Sequence, residues 1–344
     1  MKAARLFEYN APVKIVEIPK PTVESPFDVI VRIGGAGVCG TDLNIQRGLA
    51  KDSPPLPFTL GHENAGWIEE VGSVATLSGL KKGDPVILHP FTSCGFCRAC
   101  RGGNDMHCVN GHFPGLDIDG GYAQFLKTSA RSVIKLAPGT DPVPLAPYAD
   151  AGITSYHAVR KVTPFLPPGS TAVVIGIGGL GHIAIQLLKA LTPAYVIGIA
   201  RSEAKVEFGK KIGADATFTA GSDGGLKAVR EFTNGVGAEV VLDFVADQGT
   251  PDTGVRMIRK GGTYCIIGEG GTVSDTTIDM IVREITLMGS LVGTYNELSE
   301  LMELHRMGKI KISSKVHPMS DVVQVMKDLK ESKVLGRSVL DPWK

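Results

Sequence analysis

Thr171-Ala-Val-Val-Ile175 runs directly into Gly176-Ile-Gly178-Gly179-Leu180-Gly181, which opens His182-Ile-Ala-Ile-Gln-Leu-Leu-Lys-Ala-Leu191. Five apolar or β-branched residues without polar alternation fit a strand buried on both faces. The loop that follows has the GxGxxG spacing, and its placement between a strand and a helix is what the dinucleotide fingerprint requires. Gly176 is expected to make the tight turn and Gly178 to let a pyrophosphate approach the backbone. Gly179 and Leu180 complete the loop, and Gly181 brings helix and strand together. The helix N-terminus adds N–H donors and positive potential for the phosphates.

Downstream the same alternation repeats: AYVIGIA (194–200), SEAKVEFGKKIG (202–213), DATF (215–218), GLKAVREFT (225–233), EVVLDFV (239–245), TGVRMIRKG (253–261) and GTYCIIGE (262–269). Strand followed by helix, repeated, predicts a doubly wound parallel sheet of the Rossmann type. Upstream the chain reads differently. VIVRI (29–33), GWIEEVGSV (66–74), PVILHP (85–90), GYAQFL (121–126) and VIKLAP (133–138) are short β-branched runs broken by Gly and Pro, predicting an all-β unit of antiparallel strands. The fold class is therefore α/β, with a β-rich domain over 1–152, a Rossmann domain over 153–290, and a segment 291–344 that returns to the first. A helix from Tyr295 to Met307 and a strand, helix and strand beyond it make up the return.

Composition narrows the function. Lys plus Arg is 36 against 35 for Asp plus Glu, a net charge of +1, so no global field favours nucleic acid or an anionic membrane. The first twenty residues scatter Lys2, Arg5, Glu8, Lys14 and Glu17 without an apolar core, and the most apolar window is interrupted by glycines, His182 and Gln186. Neither a secretory signal nor a membrane span is expected, which predicts a cytoplasmic protein. Forty-three glycines follow no fixed period and fit turns and nucleotide loops.

At the end of the second Rossmann strand an acidic residue ordinarily binds the adenosine ribose. Here the strand ends at Ala200 and continues Arg201, Ser202, with Lys205 close behind. No carboxylate repels a 2′-phosphate and a guanidinium is at hand, so NADP is favoured over NAD. An arginine on a solvated turn is the plainer alternative.

Six cysteines stand at 39, 94, 97, 100, 108 and 265. Cys94, Cys97, Cys100 and Cys108 fall in fifteen residues, a spacing at which four thiolates close a tetrahedral cage around a structural zinc. An iron–sulfur run needs its fourth cysteine after three residues and a proline behind it; here seven residues intervene and Val109 follows. Disulfides fit poorly with a reducing compartment. Cys39 in GVCGTD, His62 in LGHEN and Asp150 in PYADAGITSY offer one sulfur, one nitrogen and one oxygen. Three such ligands leave a fourth zinc position for water or substrate. Spacing alone does not separate that set from a buried thiol, a satisfied histidine and a helix-capping aspartate.

GVCGTD, GHENAGWIEEVG, the CGFC-RAC-C cluster, DAGITSYHAV, VVIGIGGLGHIAIQLLKAL and GRSVLDP occur in the order found in zinc-dependent medium-chain alcohol dehydrogenases, which the chain resembles along nearly its whole length. The resemblance implies a GroES-like catalytic domain, a Rossmann domain and a catalytic zinc facing the nicotinamide. It implies Cys39, His62 and Asp150 as the catalytic zinc ligands. Glu63 would be the nearby glutamate that approaches the metal, Asp42 the carboxylate that orients His62, and Thr41 the hydroxyl that touches the alcohol. Thr154 would pack at the nicotinamide and Arg337 bind a cofactor phosphate. Phe91, Thr92, Phe113 and Leu116 fall where the family lines its pocket. Where the family often carries a proton-relaying histidine, this chain has Asn44, which does not titrate. The implied reaction is hydride transfer between a secondary alcohol or ketone and NAD(P), in a homodimer or homotetramer. A polyol dehydrogenase is the nearest alternative, and a zinc-free quinone reductase or a non-catalytic nucleotide-binding relative a more distant one.

Overall fold

The computed structural model describes residues 1–49 and 54–344. These form two units. One comprises Met1–Ile153, Gly293–Met302 and Ile312–Lys344, the other Thr154–Val292 and Glu303–Lys311.

In the first unit, β1 (Lys2–Leu6), β2 (Lys14–Glu17) and β4 (Phe58–Thr59) form a small sheet in the order β2-β1-β4. The main sheet is built on β3 (Asp28–Val38), which is buried along almost its whole length. It pairs antiparallel with β5 (Glu63–Val71) and with β7 (Phe125–Ser129), and the sheet continues through β6 (Pro85–Leu88) to β8 (Val133–Lys135). The glycines of β3 let strands and loops approach where side chains would collide. β3 delivers the chain at Val38 straight into α1 (Gly40–Gln46), while β5 begins at Glu63, opposite Gly37. That register puts Cys39 beside His62. A short α2 (Arg98–Arg101) lies in the cysteine-rich lobe, and α3 (Ala151–Val162) begins directly after Asp150.

The second unit carries β9 (Thr171–Ile175), α4 (Gly181–Leu191), β10 (Tyr195–Ala200), α5 (Glu203–Lys211), β11 (Ala216–Thr219), α6 (Leu226–Phe232), β12 (Ala238–Asp243), α7 (Thr250–Met257), β13 (Ile258–Ile266), α8 (Thr277–Arg283) and β14 (Thr286–Gly289). Its six strands pair in parallel in the order β11-β10-β9-β12-β13-β14. The order reverses between β9 and β12, so the crevice at the carboxyl ends opens where the glycine loop leaves β9. All five residues of β9 are buried. At about 1.5–3 kcal/mol per buried Val or Ile side chain, this strand is a firm anchor for the loop.

The chain returns through α9 (Tyr295–Arg306), β15 (Ser314–Pro318), α10 (Val322–Lys330) and β16 (Arg337–Asp341). β16 pairs antiparallel with β3 and parallel with β15, so the main sheet of the first unit is mixed where the sequence predicts antiparallel strands throughout. Parallel pairing is open to this segment because α10 supplies the crossover. Two further elements depart from expectation. TGVRMIRKG reads as one helix, but α7 stops at Met257 and β13 starts at Ile258. β14, only four residues long, carries no recognisable strand pattern. No helix among the described residues is long and apolar enough to cross a membrane.

Candidate metal centre and nucleotide loop

Cys39 is the N-cap of α1, and the third residue of that helix, Asp42, accepts a hydrogen bond from the Cys39 N–H at 2.8 Å. The same Asp42 oxygen accepts from the Tyr122 hydroxyl at 2.8 Å, and its other oxygen faces His62 Nδ1 at 3.3 Å. His62 Nε2 then points at Asp150 Oδ2, 3.4 Å away, and Cys39 Sγ lies 4.0 Å from that oxygen. Glu63 completes the group. One ligand atom from each of Cys39, His62, Glu63 and Asp150 falls within 4.8 Å of the other three, and all four residues are buried. Glu63 Oε1 accepts from the Ala151 N–H at 3.0 Å and from Arg337 Nη2, whereas Oε2 has no partner.

Burial shapes the charges here. It pushes the His62 pKa down, but Asp42 and the hydrogen bonds of Asp150 and Asp42 outweigh it and hold the imidazole above its usual range. Burial raises the Glu63 pKa against the pull of Arg337. Burial, then the Asp42 charge, drives the Tyr122 phenol far above its normal value, leaving it a permanent donor. Several acidic groups around one imidazole are the environment a divalent cation relieves by taking the place of protons.

Thr41 Oγ1 is 3.8 Å from Cys39 Sγ, half-exposed at the start of α1. Phe113 meets the His62 ring edge-on at 5.8 Å between centroids and packs on Phe91 at 4.3 Å, an apolar wall beside the cluster. Leu116 packs against the buried core, and Thr92 bridges to His112.

The second set, Cys94, Cys97, Cys100 and Cys108, also converges within 4.8 Å. Sγ of Cys97 and Cys100 are 3.5 Å apart, and those of Cys94 and Cys100 are 4.0 Å apart. Backbone N–H groups aim at the sulfurs: those of Phe96 and Cys97 lower the Cys94 pKa, and those of Cys100 and Val109 bring Cys97 to about 6. Burial pushes Cys100 up to about 12. All four are free thiols, so the lobe is not closed by disulfides.

In the second unit Gly176 has φ +93°, and a methyl on Gly181 would stand 1.9 Å from the Gly176 carbonyl oxygen. Only glycine allows that approach. Beside Gly178, by contrast, nothing lies within 4 Å, so the backbone there faces open space. Gly179 lies between them, and Leu180 is the N-cap of α4, its carbonyl accepting from the Ser155 hydroxyl at 3.0 Å. Thr154 is buried in this unit. Ala200 ends β10, Ser202 is the N-cap of α5, and Arg201 Nη1 donates to Gln248 Oε1 at 2.7 Å. Lys205 is half-buried, its pKa lowered by burial and by the Arg201 charge. Arg337 belongs to the first unit. It is buried there with its Nη2 on Glu63, a placement the sequence does not signal.

Residues 25–138 match the model of the alcohol dehydrogenase GroES-like domain, and residues 179–306 that of the zinc-binding dehydrogenase domain. The D-arabinose 1-dehydrogenase (NADP(+)) of Saccharolobus solfataricus is 38% identical over 99% of this chain and 97% of its own. An NAD-dependent alcohol dehydrogenase of Sulfurisphaera tokodaii is 34% identical over 99% and 100%. The chain belongs to the zinc-binding alcohol dehydrogenase family. The crystal structure of the alcohol dehydrogenase from Aeropyrum pernix, 48% identical, superposes with a TM-score of 0.96 over 99% of this chain and 100% of that one.

The residues present fit the family's groups. A thiol, an imidazole and carboxylates around the unpartnered Glu63 oxygen form a donor set suited to zinc, and the four-thiol lobe forms another. The open backbone at Gly178 fits a dinucleotide. The zinc-free alternative expects neither ligand set, and both are assembled here. Two partners of this alcohol dehydrogenase's cluster escape sequence reasoning. Tyr122 lies 80 residues beyond Asp42, and Gly37 makes room for Glu63 across a strand pair. Neither carries a local motif. Asp243 had a signal, a carboxylate closing the apolar run of β12; it is fully buried and accepts the Tyr264 hydroxyl at 2.7 Å.

Proposed function

We propose that this chain interconverts a secondary alcohol and its ketone with NADP as coenzyme, using a zinc ion held by Cys39, His62 and Asp150. The observation that carries the reading is the convergence of those three buried side chains, with Glu63, within 4.8 Å. When bound, zinc supplies the Lewis acidity that lowers the pKa of an alcohol, and the nicotinamide supplies the hydride chemistry.

The chain's own residues do the positioning. Asp42, fixed by the Cys39 N–H and the Tyr122 hydroxyl, sets the His62 ring so that Nε2 faces Asp150. Arg337 balances Glu63 through Oε1, so that this carboxylate stays beside the ligands with Oε2 unpartnered. The role of a cofactor-phosphate ligand, implied by resemblance, would draw on the rest of the Arg337 guanidinium. Thr41 Oγ1 is the group assigned to receive the alcohol's hydroxyl proton. Phe91 and Phe113 give the substrate an apolar wall, which favours a hydrocarbon-substituted carbinol. Gly176 to Gly181 would hold the pyrophosphate and Thr154 the nicotinamide. Arg201, Ser202 and Lys205, after Ala200, would take the 2′-phosphate. The four cysteines of the lobe would hold a structural zinc.

A second reading, oxidation of a sugar or polyol, is favoured by the 38% identity to a protein named for D-arabinose. Assay of secondary alcohols, polyols and aldoses with NAD and NADP separately decides between the two. Faster turnover of aldoses than of any simple alcohol would replace the first reading with the second, and a large preference for NAD would remove the coenzyme assignment.

We further propose a cytoplasmic homodimer or homotetramer. Cluster thiols that must stay reduced support the compartment. Ile278, Ile281 and Val282, 62, 73 and 62% exposed on α8, support self-association. A monomer in sedimentation experiments would overturn it.

A further inference from the structure

Gln248 stands in the loop between β12 and α7, 47 residues beyond Arg201, and accepts the Arg201 Nη1–H at 2.7 Å. The contact has three supports. First, the backbone of this loop is held in conformations that L side chains seldom adopt: φ is +46° at Ala246 and +54° at Gln248. Such strain persists only where the surroundings over-determine it. Here the buried Asp243 does so, its Oδ1 accepting the N–H groups of Val245 and Ala246, each at 2.8 Å, and its Oδ2 accepting the Tyr264 hydroxyl at 2.7 Å. The Gly271 N–H closes onto the Ala246 carbonyl at 2.7 Å.

Second, among the described residues neither Arg201 nor Lys205 has a carboxylate partner. The carboxylate nearest in sequence, Glu203, is turned away to accept the Thr219 hydroxyl at 2.7 Å. Third, the partner Arg201 does have is a neutral amide. An amide oxygen fixes one edge of a guanidinium without cancelling its charge, whereas a carboxylate would neutralise it and repel an anion.

We infer that Gln248 is a positioning residue for coenzyme selectivity, orienting Arg201 toward a 2′-phosphate from a loop made rigid by the Asp243–Tyr264 pair. This rests on the reading of Arg201 as the group that meets that phosphate. Gln248 itself need not touch the coenzyme. Its effect passes through the guanidinium, which in the absence of Gln248 samples more rotamers when free and must give up that freedom on binding.

The test is calorimetric titration of 2′,5′-ADP and of 5′-AMP against the wild type, Gln248→Leu, Arg201→Leu and the double variant, with KM and kcat measured for NADP and NAD. For Gln248→Leu, affinity for 2′,5′-ADP is expected to fall about five- to tenfold while 5′-AMP binds as before. KM for NADP rises in the same proportion, kcat and melting temperature are unchanged, and the double variant binds no worse than Arg201→Leu. Gln248→Glu keeps the acceptor but adds charge, and is expected to discriminate against 2′,5′-ADP more strongly than Gln248→Leu. If Arg201→Leu weakens 2′,5′-ADP and Gln248→Leu does not, this inference falls while the coenzyme reading stands. If Arg201→Leu leaves the ratio of the two ligands unchanged, the coenzyme reading falls with it. Equal loss of both ligands in Gln248→Leu would reduce Gln248 to loop structure and overturn the proposal.

Discussion

Gly37 of β3 lies directly across the ladder from Glu63 of β5, and a methyl group on its α-carbon would stand 1.8 Å from Glu63 Oε2. The buried carboxylate occupies space that only glycine leaves vacant. Gly37→Ala must therefore expel Glu63 or spread the strands. Overpacking of this kind costs roughly 1–3 kcal/mol, and displaced residues around a metal typically cost about 10–100-fold in activity or metal affinity. Zinc content and kcat/KM measured together check it; a variant with wild-type values of both would show that Glu63 is free to sit elsewhere.

Tyr122 tests the same cluster from below. Its hydroxyl and the Cys39 N–H share one oxygen of Asp42, a residue with no solvent exposure. Tyr122→Phe leaves the ring in place and withdraws one donor from a buried carboxylate, which should cost about 1–3 kcal/mol. Because Asp42 faces His62 Nδ1, turnover should fall as well. Urea unfolding alongside steady-state kinetics reads both, and unchanged stability would mean that Asp42 does not depend on this donor.

How much of this was legible in the sequence depends on the range of the interactions. The glycine loop and the four-cysteine lobe are local, spelled out within a few residues, and the loop's spacing between a strand and a helix, with the spacing of the four cysteines, directs attention to a dinucleotide and a metal. Cys39, His62 and Asp150 are far apart in the chain, and no spacing rule joins them; the resemblance singled them out, and the β3–β5 register and the start of α3 bring them together. Tyr122, Gly37 and the Arg337–Glu63 pair were invisible, because each depends on a strand pairing or a return of the chain that no short window contains. The missing strand β14 shows the same limit, since four residues give too little alternation to declare a strand.

Acid should weaken the first unit through His89. This buried ring lies between two carbonyls, Nδ1 at 3.3 Å from Phe91 and Nε2 at 3.0 Å from Gly293. Burial lowers its pKa below the ordinary 6.5, against the pull of the carbonyls. A folded-state value below the unfolded one means that the unfolded chain binds the extra proton first. The contribution to stability is therefore complete above about pH 6.5 and is lost as pH falls through the lower folded value. His89→Gln, which keeps a donor for Gly293, should flatten the decline. Unfolding free energies at pH 7.5, 6.5 and 5.5 check this, and parallel curves for the two proteins would exclude His89 as the source.

Metal removal should separate the two ligand sets. The cysteine lobe is a closed set of four sulfurs, two of them made more acidic by backbone N–H groups, with Cys97 at about 6. A four-thiolate site leaves zinc no open position, so its contribution is to folding of the lobe. The lobe is tied to the return segment through Asp105, which accepts the Tyr295 N–H at 3.2 Å. Cys97→Ser should therefore reduce zinc from two ions per chain to one and lower the melting temperature by several degrees, with turnover persisting below the new transition. Asp150→Ala should likewise remove one ion but leave the melting temperature nearly unchanged, while turnover falls by about a thousandfold or more. Elemental analysis, thermal melts and kinetics on both variants form the comparison. Loss of turnover in Cys97→Ser at an unchanged melting temperature would mean that the roles of the two sets are reversed.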